Sequence, residues 1–213
     1  MVEVVSTVAR MMSAGEILRS GMEHGIVPST AEVDRKGRAS LRSGDLDVVV
    51  TVQRELDNSL LCLAFVGDAK LGPAMSNYGS LAVRLDPAEP DSIGWPSGSR
   101  LGDDHVEFLR VRIGELLGFV EDRADLAAIL ASESAVRRGG LKAWLLLSNY
   151  PARLVQALII ARDLGSDELV EVIRGRLRSG TRMLPDGQDL DIMATAKVWA
   201  KQYEKALGYA ISL

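Results

Sequence analysis

The sequence contains a single cysteine, Cys62, which excludes an intramolecular disulfide. Because Cys62 lies in an apolar run, we expect a buried structural thiol in a reducing compartment, and hence a cytoplasmic protein. The only histidines are His24 and His105, which disfavours any function that needs a histidine cluster. No stretch of about 18 uncharged apolar residues occurs, so we predict no membrane-spanning helix.

The sequence also has no excess of basic residues over acidic ones. The chain has 25 Lys and Arg against 29 Asp and Glu, a net charge of -4, and aromatic residues make up only 5% of it. A protein of this balance has no overall field that attracts phosphate backbones or anionic lipids, and it lacks aromatic platforms for bases. We therefore expect neither a nucleic-acid partner nor a membrane partner.

Motifs that would force a particular chemistry are not found. The loop Gly67–Gly72 follows an apolar strand-like run, but it matches neither the P-loop nor the dinucleotide fingerprint. The turn Asp186–Asp191 lacks the ligand order of a calcium loop, and no Gly-x-Ser-x-Gly elbow is present. The sequence therefore predicts no cofactor and no metal.

What the sequence does contain is a change of hydrophobic period near Leu101. Strand-like alternation precedes this point, and helix-like spacing follows it. The pattern predicts an α+β fold, with an N-terminal helix and antiparallel sheet followed by an all-helical C-terminal half. We expect regions 1–97 and 98–213 to pack as one domain. The alternative is two loosely joined domains divided in the Gly/Pro-rich segment before Leu101.

Local signals place the elements of the first half. Capping-box spacing at Ser13 predicts the N-terminal helix. A turn signal at Lys36-Gly37 predicts a polar edge hairpin, and apolar alternation or continuous apolar runs predict three strands. The predicted elements are a helix over Ala14–Glu23, the hairpin Glu32–Leu41, and strands over Leu46–Gln53, Leu60–Val66 and Leu81–Leu85.

Caps and apolar stripes place the helices of the second half. N-cap residues precede several of them, and Pro151 suits a first helical turn. Acids begin and arginines end the helix after Ser166, which complements its dipole. The predicted helices are His105–Leu117, a short one capped by Asp122, a short buried one over Leu141–Leu147, Tyr150–Leu164, one following Gly165-Ser166, and a last one bearing Ile192 to Leu207.

The richest polar cluster comprises Asp103, Asp104, His105 and Glu107. Carboxylates and an imidazole at this density suit a divalent cation or general acid–base catalysis. Their place at a predicted helix start offers a simpler explanation, because Asp is favoured as an N-cap and near the positive end of the helix dipole. Capping therefore explains the cluster without a ligand.

Two functions follow from these patterns. The favoured hypothesis is a non-catalytic cytoplasmic protein that binds another protein, such as an inhibitor, an immunity-type protein or an assembly component, with Trp95 as a candidate contact. The alternative is a small hydrolase or metal-dependent enzyme that uses the cluster Asp103, Asp104, His105 and Glu107, together with Asp68. Homo-oligomerisation is left open by the sequence.

Overall fold

The computed structural model describes residues 31–34, 38–54, 60–71, 81–84 and 103–213, together with Arg19 and Glu23. Its strands are β1 (Glu32–Val33), β2 (Arg38–Ser43), β3 (Leu46–Arg54), β4 (Leu60–Asp68), β5 (Leu81–Arg84), β6 (Arg137–Arg138), β7 (Leu141–Trp144), β8 (Thr181–Met183) and β9 (Asp189–Asp191). Its helices are α1 (Asp103–Leu117), α2 (Arg123–Leu130), α3 (Tyr150–Asp163), α4 (Asp167–Leu177) and α5 (Ile192–Leu207), and a 3-10 turn spans Leu147–Asn149.

The strands form a seven-stranded sheet in the order β1-β2-β3-β4-β5-β7-β6, and a separate two-stranded sheet of β8 and β9. Strand β1 pairs antiparallel with β2, which confirms the predicted edge hairpin. Strand β7 pairs antiparallel with both β5 and β6. The later part of the chain therefore supplies one end of the larger sheet.

Alternation explains β3. Leu46, Val48 and Val50 are buried, whereas the intervening Asp47 and Val49 are half-buried. Side chains of a strand point alternately to its two faces, so this pattern directs one face to the core. Gly44 adopts φ 59° in the turn before β3. A glycine tolerates this left-handed conformation without strain, which allows a two-residue hairpin turn.

Helix α3 is the centre of the helical part. Twelve of its 14 residues are buried, and it contacts α2, α4 and α5. A helix that is buried on nearly all sides needs neighbours that cover each side. The predicted stripes of the neighbours fulfil this role, with Val170, Ile173 and Leu177 of α4 buried.

The chain divides into two compact units. The described part of the first contains β1, most of β2, β3 from Val49 onward, β4 as far as Leu63, and α1 as far as Gly114. The second contains Arg42–Val48, which comprises the end of β2, the turn and the start of β3, together with the end of β4, β5 and the chain from Glu115 to Leu213. The predicted regions 1–97 and 98–213 stay a prediction.

The class α+β is right, but the arrangement predicted for it is wrong. No N-terminal helix is among the elements that the structure describes, and the range predicted for it, Ala14–Glu23, lies outside the described residues except for Arg19 and Glu23. The C-terminal half is not all-helical, because β6, β7, β8 and β9 belong to it.

The helix predicted over Leu141–Leu147 is instead strand β7 followed by the 3-10 turn. Gly139 adopts φ 56° and makes the tight turn that joins β6 to β7, and Leu141 and Ala143 are buried on one face of β7. A run of four residues is too short for periodicity to separate a buried strand from a buried helix. Pairing with β5 therefore decides the structure of this segment.

A buried arginine joins α3 to the end of α2. The side chain of Arg153 is fully buried, with Nη1 donating to the carbonyls of Leu130 and Ser132 at 2.7 and 3.0 Å. Nη2 donates to the Leu146 carbonyl at 3.3 Å, and Nε donates to Asn149 Oδ1 at 3.0 Å. The last carbonyls of a helix have no partner within the helix and carry its negative dipole end, so a cation there stabilises α2.

No carboxylate neutralises Arg153 among the contacts that the structure describes for it. Burial lowers its pKa to about 10, which is still above neutral pH, so the guanidinium stays charged. The guanidinium also lies 5.1 Å from the centre of the Tyr150 ring, at cation–π distance. Carbonyl dipoles and the ring therefore replace the water that this charge loses on folding.

We predict that Arg153→Met lowers the free energy of unfolding by about 2–4 kcal/mol, because buried carbonyls lose their donors. Urea denaturation followed by circular dichroism measures this. The exposed Arg178 is the control, since Arg178→Met should change stability by no more than about 0.5 kcal/mol. Equal stability of Arg153→Met and the wild type would show that the contacts of Arg153 are not stabilising.

Candidate functional site

The predicted polar cluster lies at the start of α1. Asp103 is the first residue of this helix, and Asp104, His105 and Glu107 follow in its first turns. The side chains of 103–109 lie outside the described part of the structure, as do His24 and Trp95. Cys62 belongs to β4, and its side chain is likewise not described. The roles suggested for these residues stay predictions.

Asp68, the remaining residue of the enzyme hypothesis, is described and has a structural position. It ends β4 with a side chain only 1% exposed. Its Oδ1 accepts from the backbone N–H groups of Lys70 and Leu71 at 2.8 and 3.2 Å, and its Oδ2 accepts from Arg123 Nε at 2.6 Å. The carboxylate therefore closes the turn after β4 and anchors an arginine.

Arg123 connects three elements of the second unit. It is the first residue of α2, its side chain is 4% exposed, and its Nη1 donates to Asp163 Oδ2 at 2.5 Å, at the end of α3. Lys70 Nζ lies 3.6 Å from the same oxygen. We call Asp68, Lys70, Arg123 and Asp163 the Asp68 cluster. Its two acids and two bases give no net charge. Asp68 and Arg123 are buried, whereas the side chains of Lys70 and Asp163 are 57% and 49% exposed.

The ionisation of the cluster argues against a proton-transfer role. The hydrogen bond from Arg123 lowers the pKa of Asp163 below its usual value. Burial works against the charge of Arg123, but the hydrogen bonds with Asp68 and Asp163 outweigh it and raise the pKa of the guanidinium. A general acid or base needs a pKa near the working pH. The pair of Arg123 and Asp163 instead stays charged at neutral pH.

A pocket of about 350 Å³ lies beside Arg123, between the β2–β3 turn and the start of α2. This volume is at the lower end of the range for small-molecule sites. Among the described residues, no group of three His, Cys, Asp or Glu side chains is arranged to hold a metal ion. The lining residues are Ser43, Gly44, Asp45, Leu46, Glu121, Asp122, Arg123, Ala124 and Leu164.

One nitrogen of the Arg123 side chain lacks a hydrogen-bond partner among the described residues. Nη2 is buried, and it makes no hydrogen bond with a described residue. Asp122, on the pocket wall, accepts from the Asp125 N–H at 2.8 Å and so caps α2, as the sequence predicts. A buried donor without a protein partner is most simply satisfied by an internal water.

A second arginine also binds the first turn of α2. Arg138 of β6 makes a bidentate pair with Asp125, with both N···O distances 2.6 Å, and donates to the Phe119 carbonyl at 2.7 Å. Asp125 also accepts from the Glu121 N–H at 3.0 Å. Burial opposes the charge of Asp125, but these hydrogen bonds outweigh it and lower the pKa of its carboxyl group.

Side chains of α3 and α4 contact the chain just after the end of α2. Arg176 of α4 donates to the Ala131 carbonyl, and the Tyr150 hydroxyl lies 3.3 Å from the same oxygen and 3.2 Å from Glu133 Oε1. Burial first, and then the nearby Glu133 charge, raise the pKa of Tyr150 to about 12. The chain after α2 is therefore held by α3 and α4 together.

Other sequence candidates have local structural roles. Asp186 accepts from the Gln188 N–H at 3.1 Å in the β8–β9 turn, and Asp191 accepts from the Ala194 N–H at 2.9 Å as the N-cap of α5. Arg174 pairs with Glu171 on its own helix at 2.7 Å. These side chains therefore stabilise the turn and the helices that carry them.

The arginine network was missed by sequence reasoning because the partners of each arginine are remote in sequence. Arg123 and Asp68 are 55 residues apart, and Arg153 and Leu130 are 23 apart. One signal was available: Arg153 lies within a helix whose residues from Tyr150 to Ala161 are apolar apart from Arg153 and Gln156. A long cation in such a run indicates a buried hydrogen-bonding role.

We predict that Arg123→Met lowers the free energy of unfolding by about 3–5 kcal/mol, because it leaves the carboxylate of Asp68 buried without its cation. The half-exposed Asp163 is the matched test, and Asp163→Asn should cost about 1 kcal/mol or less. Urea denaturation compares the two. Equal losses of stability in both variants would contradict the assignment of Arg123 as the cation that the buried Asp68 carboxylate needs.

Acid unfolding tests the pair of Asp125 and Arg138. The folded-state pKa of Asp125 is below its ordinary value of 3.8, so the ionised carboxylate stabilises the fold at neutral pH. This contribution should be lost as the pH falls from about 3.8 through the lower folded-state pKa of Asp125. Asp125→Asn and Arg138→Met should therefore both flatten the fall in stability between about pH 5 and pH 2. The measurement is the free energy of unfolding by urea at each pH. If either variant loses stability with falling pH as steeply as the wild type, the pair does not stabilise the fold.

No helix in the described part of the chain is long and apolar enough to cross a membrane. No protein-family model, curated protein or solved structure matches the chain. Function is therefore inferred from the contacts, burial and charges of the described residues alone.

Proposed function

We propose that the chain acts by binding another protein, and that the contact surface is formed by α4, the β8–β9 hairpin and α5. The observation that carries this proposal is Met183 of β8, whose side chain is 73% exposed. Val172 of α4 and Val198 of α5 are also exposed, at 46% and 56%. We call Val172, Met183 and Val198 the apolar contact residues. They lie on elements that follow one another along the chain.

The hairpin holds Met183 in a defined position. Arg182 and Leu190 pair across the strands and are half-buried, whereas Met183 and its partner Asp189 are exposed on the other face. Arg182 Nη2 lies 3.2 Å from Glu133 Oε1, so the hairpin is tied to the segment after α2. The Leu184 N–H donates to the Gln188 carbonyl at 2.8 Å and closes the turn. A partner would therefore meet an ordered surface and not a loop that must first become ordered.

The residue types suit a protein partner. Methionine has a flexible, polarisable side chain that adapts to different apolar surfaces. Exposed aliphatic residues on rigid helices can enter the groove of a partner without a large entropic cost. The helices are rigid at their starts, since Ser166 caps α4 and Asp191 caps α5. These features support an inhibitor, an immunity-type protein or an assembly component.

The test is capture of a partner from an extract of the native host with a tagged chain, followed by mass spectrometry. We expect one stoichiometric protein with the wild type, and its loss with Met183→Asp and with Val198→Asp. The control is Val111→Asp on α1, where Val111 is 50% exposed and lies outside the proposed surface.

Circular dichroism must show that all three variants are folded. A partner that is retained equally by all variants, or no stoichiometric partner with the wild type, would overturn the proposal.

A further inference from the structure

We infer that the outer face of α5 docks an acidic helical segment of the partner, with glutamates or aspartates spaced one helical turn apart. This inference rests on the proposed function and names the chemistry of its partner. We call Lys197, Lys201 and Lys205 the lysine row. Together with Val198 they occupy the exposed side of the helix.

The geometry of α5 creates the row. Its buried face is formed by Ile192, Ala196, Ala200 and Tyr203. The three lysines are four residues apart, so they lie on one side of the helix with about 6 Å between successive positions. All three side chains are exposed. The row is therefore a strip of positive charge on a chain whose net charge is -4.

The row has no acidic partner within the described part of the chain. None of its lysines forms an ion pair or hydrogen bond there, in contrast to the arginines paired with Asp68, Asp125 and Glu171. The single glutamate of α5, Glu204, accepts from the Ile211 N–H at 2.7 Å. Like charges four residues apart cost a helix about 0.2–0.5 kcal/mol per pair. The row therefore weakens the isolated helix, and an external anionic group would remove that cost.

The surroundings favour a protein partner over a nucleic acid. Val198, 56% exposed, lies beside the row and would have no partner on a phosphate backbone. The aromatic Trp199 is half-buried, and its ring lies 6.0 Å from that of Tyr203, so it does not form an open stacking platform. An amphipathic acidic helix satisfies both features, because it offers carboxylates at the same spacing and an apolar side chain for Val198.

The experiment uses fluorescence anisotropy with a labelled helical peptide that carries three glutamates four residues apart and leucines beside them. Its comparison probes are a scrambled peptide of the same composition and a short DNA duplex. We expect the full-length chain to bind the helical peptide most tightly. Lys201→Glu should weaken binding by about tenfold or more, because a central attraction becomes a repulsion.

The matched control is Arg42→Glu, which makes the same change of charge at a residue of β2 whose side chain is 64% exposed and which lies outside the proposed contact surface. It should leave peptide binding within about twofold of the wild type. Equal binding of the scrambled peptide, tighter binding of DNA, or equal losses from both variants would overturn the inference.

Capture of the native partner separates this inference from the proposed function. If Lys201→Glu retains a partner that Met183→Asp loses, the proposed function stands and the lysine row is not its docking site. If Lys201→Glu loses that partner while Arg42→Glu retains it, the inference is supported at the native interface.

Discussion

Hydrogen bonds of four arginines at the two ends of α2 are the interactions on which the second unit depends. A helix of eight residues is not stable in water by itself, so its order must come from tertiary contacts. Arg123 and Arg138 stabilise its first turn through Asp68, Asp163 and Asp125. At its other end, Arg153 and Arg176 donate to carbonyls that the helix cannot satisfy. These four side chains come from α2, β6, α3 and α4. The side chains of these arginines therefore hold the elements of the second unit together.

The charged side chains of the second unit are used in two ways. The buried guanidinium groups are directed at backbone carbonyls or carboxylates, whereas the lysines of α5 face solvent. Arginine suits the interior because its planar group donates several hydrogen bonds in fixed directions, and lysine suits an adaptable surface. The capped, well-packed helices α4 and α5 then present the apolar contact residues and the lysine row as a preformed surface. The pair of Arg123 and Asp163 stays charged at neutral pH, which does not suit a general acid or base.

Local signals predicted most elements, and distant contacts decided the rest. The alternation in β3, the cap at Asp122 and the Gly165-Ser166 junction are readable because cause and effect lie within a few residues. Strands β6 to β9 were missed because each is two to four residues long and depends on cross-strand pairing. The position of Arg153 in a mostly apolar helix was a readable signal, but nothing near Arg123 or Arg138 in sequence identifies their partners. The lysine spacing is visible in the sequence, but only the burial of Ala196 and Ala200 shows that the row faces outward.

Native-state hydrogen exchange tests the central claim that these arginine contacts make α2 part of the cooperative unit. The amides of Ala127, Leu130 and Ile160 should exchange with the same free energy of opening, equal to that of global unfolding. This result is expected because α2 cannot open without breaking contacts to α3, α4 and β6 together. Exchange of the α2 amides at a free energy several kcal/mol lower than that of Ile160, and insensitive to low concentrations of denaturant, would contradict the claim.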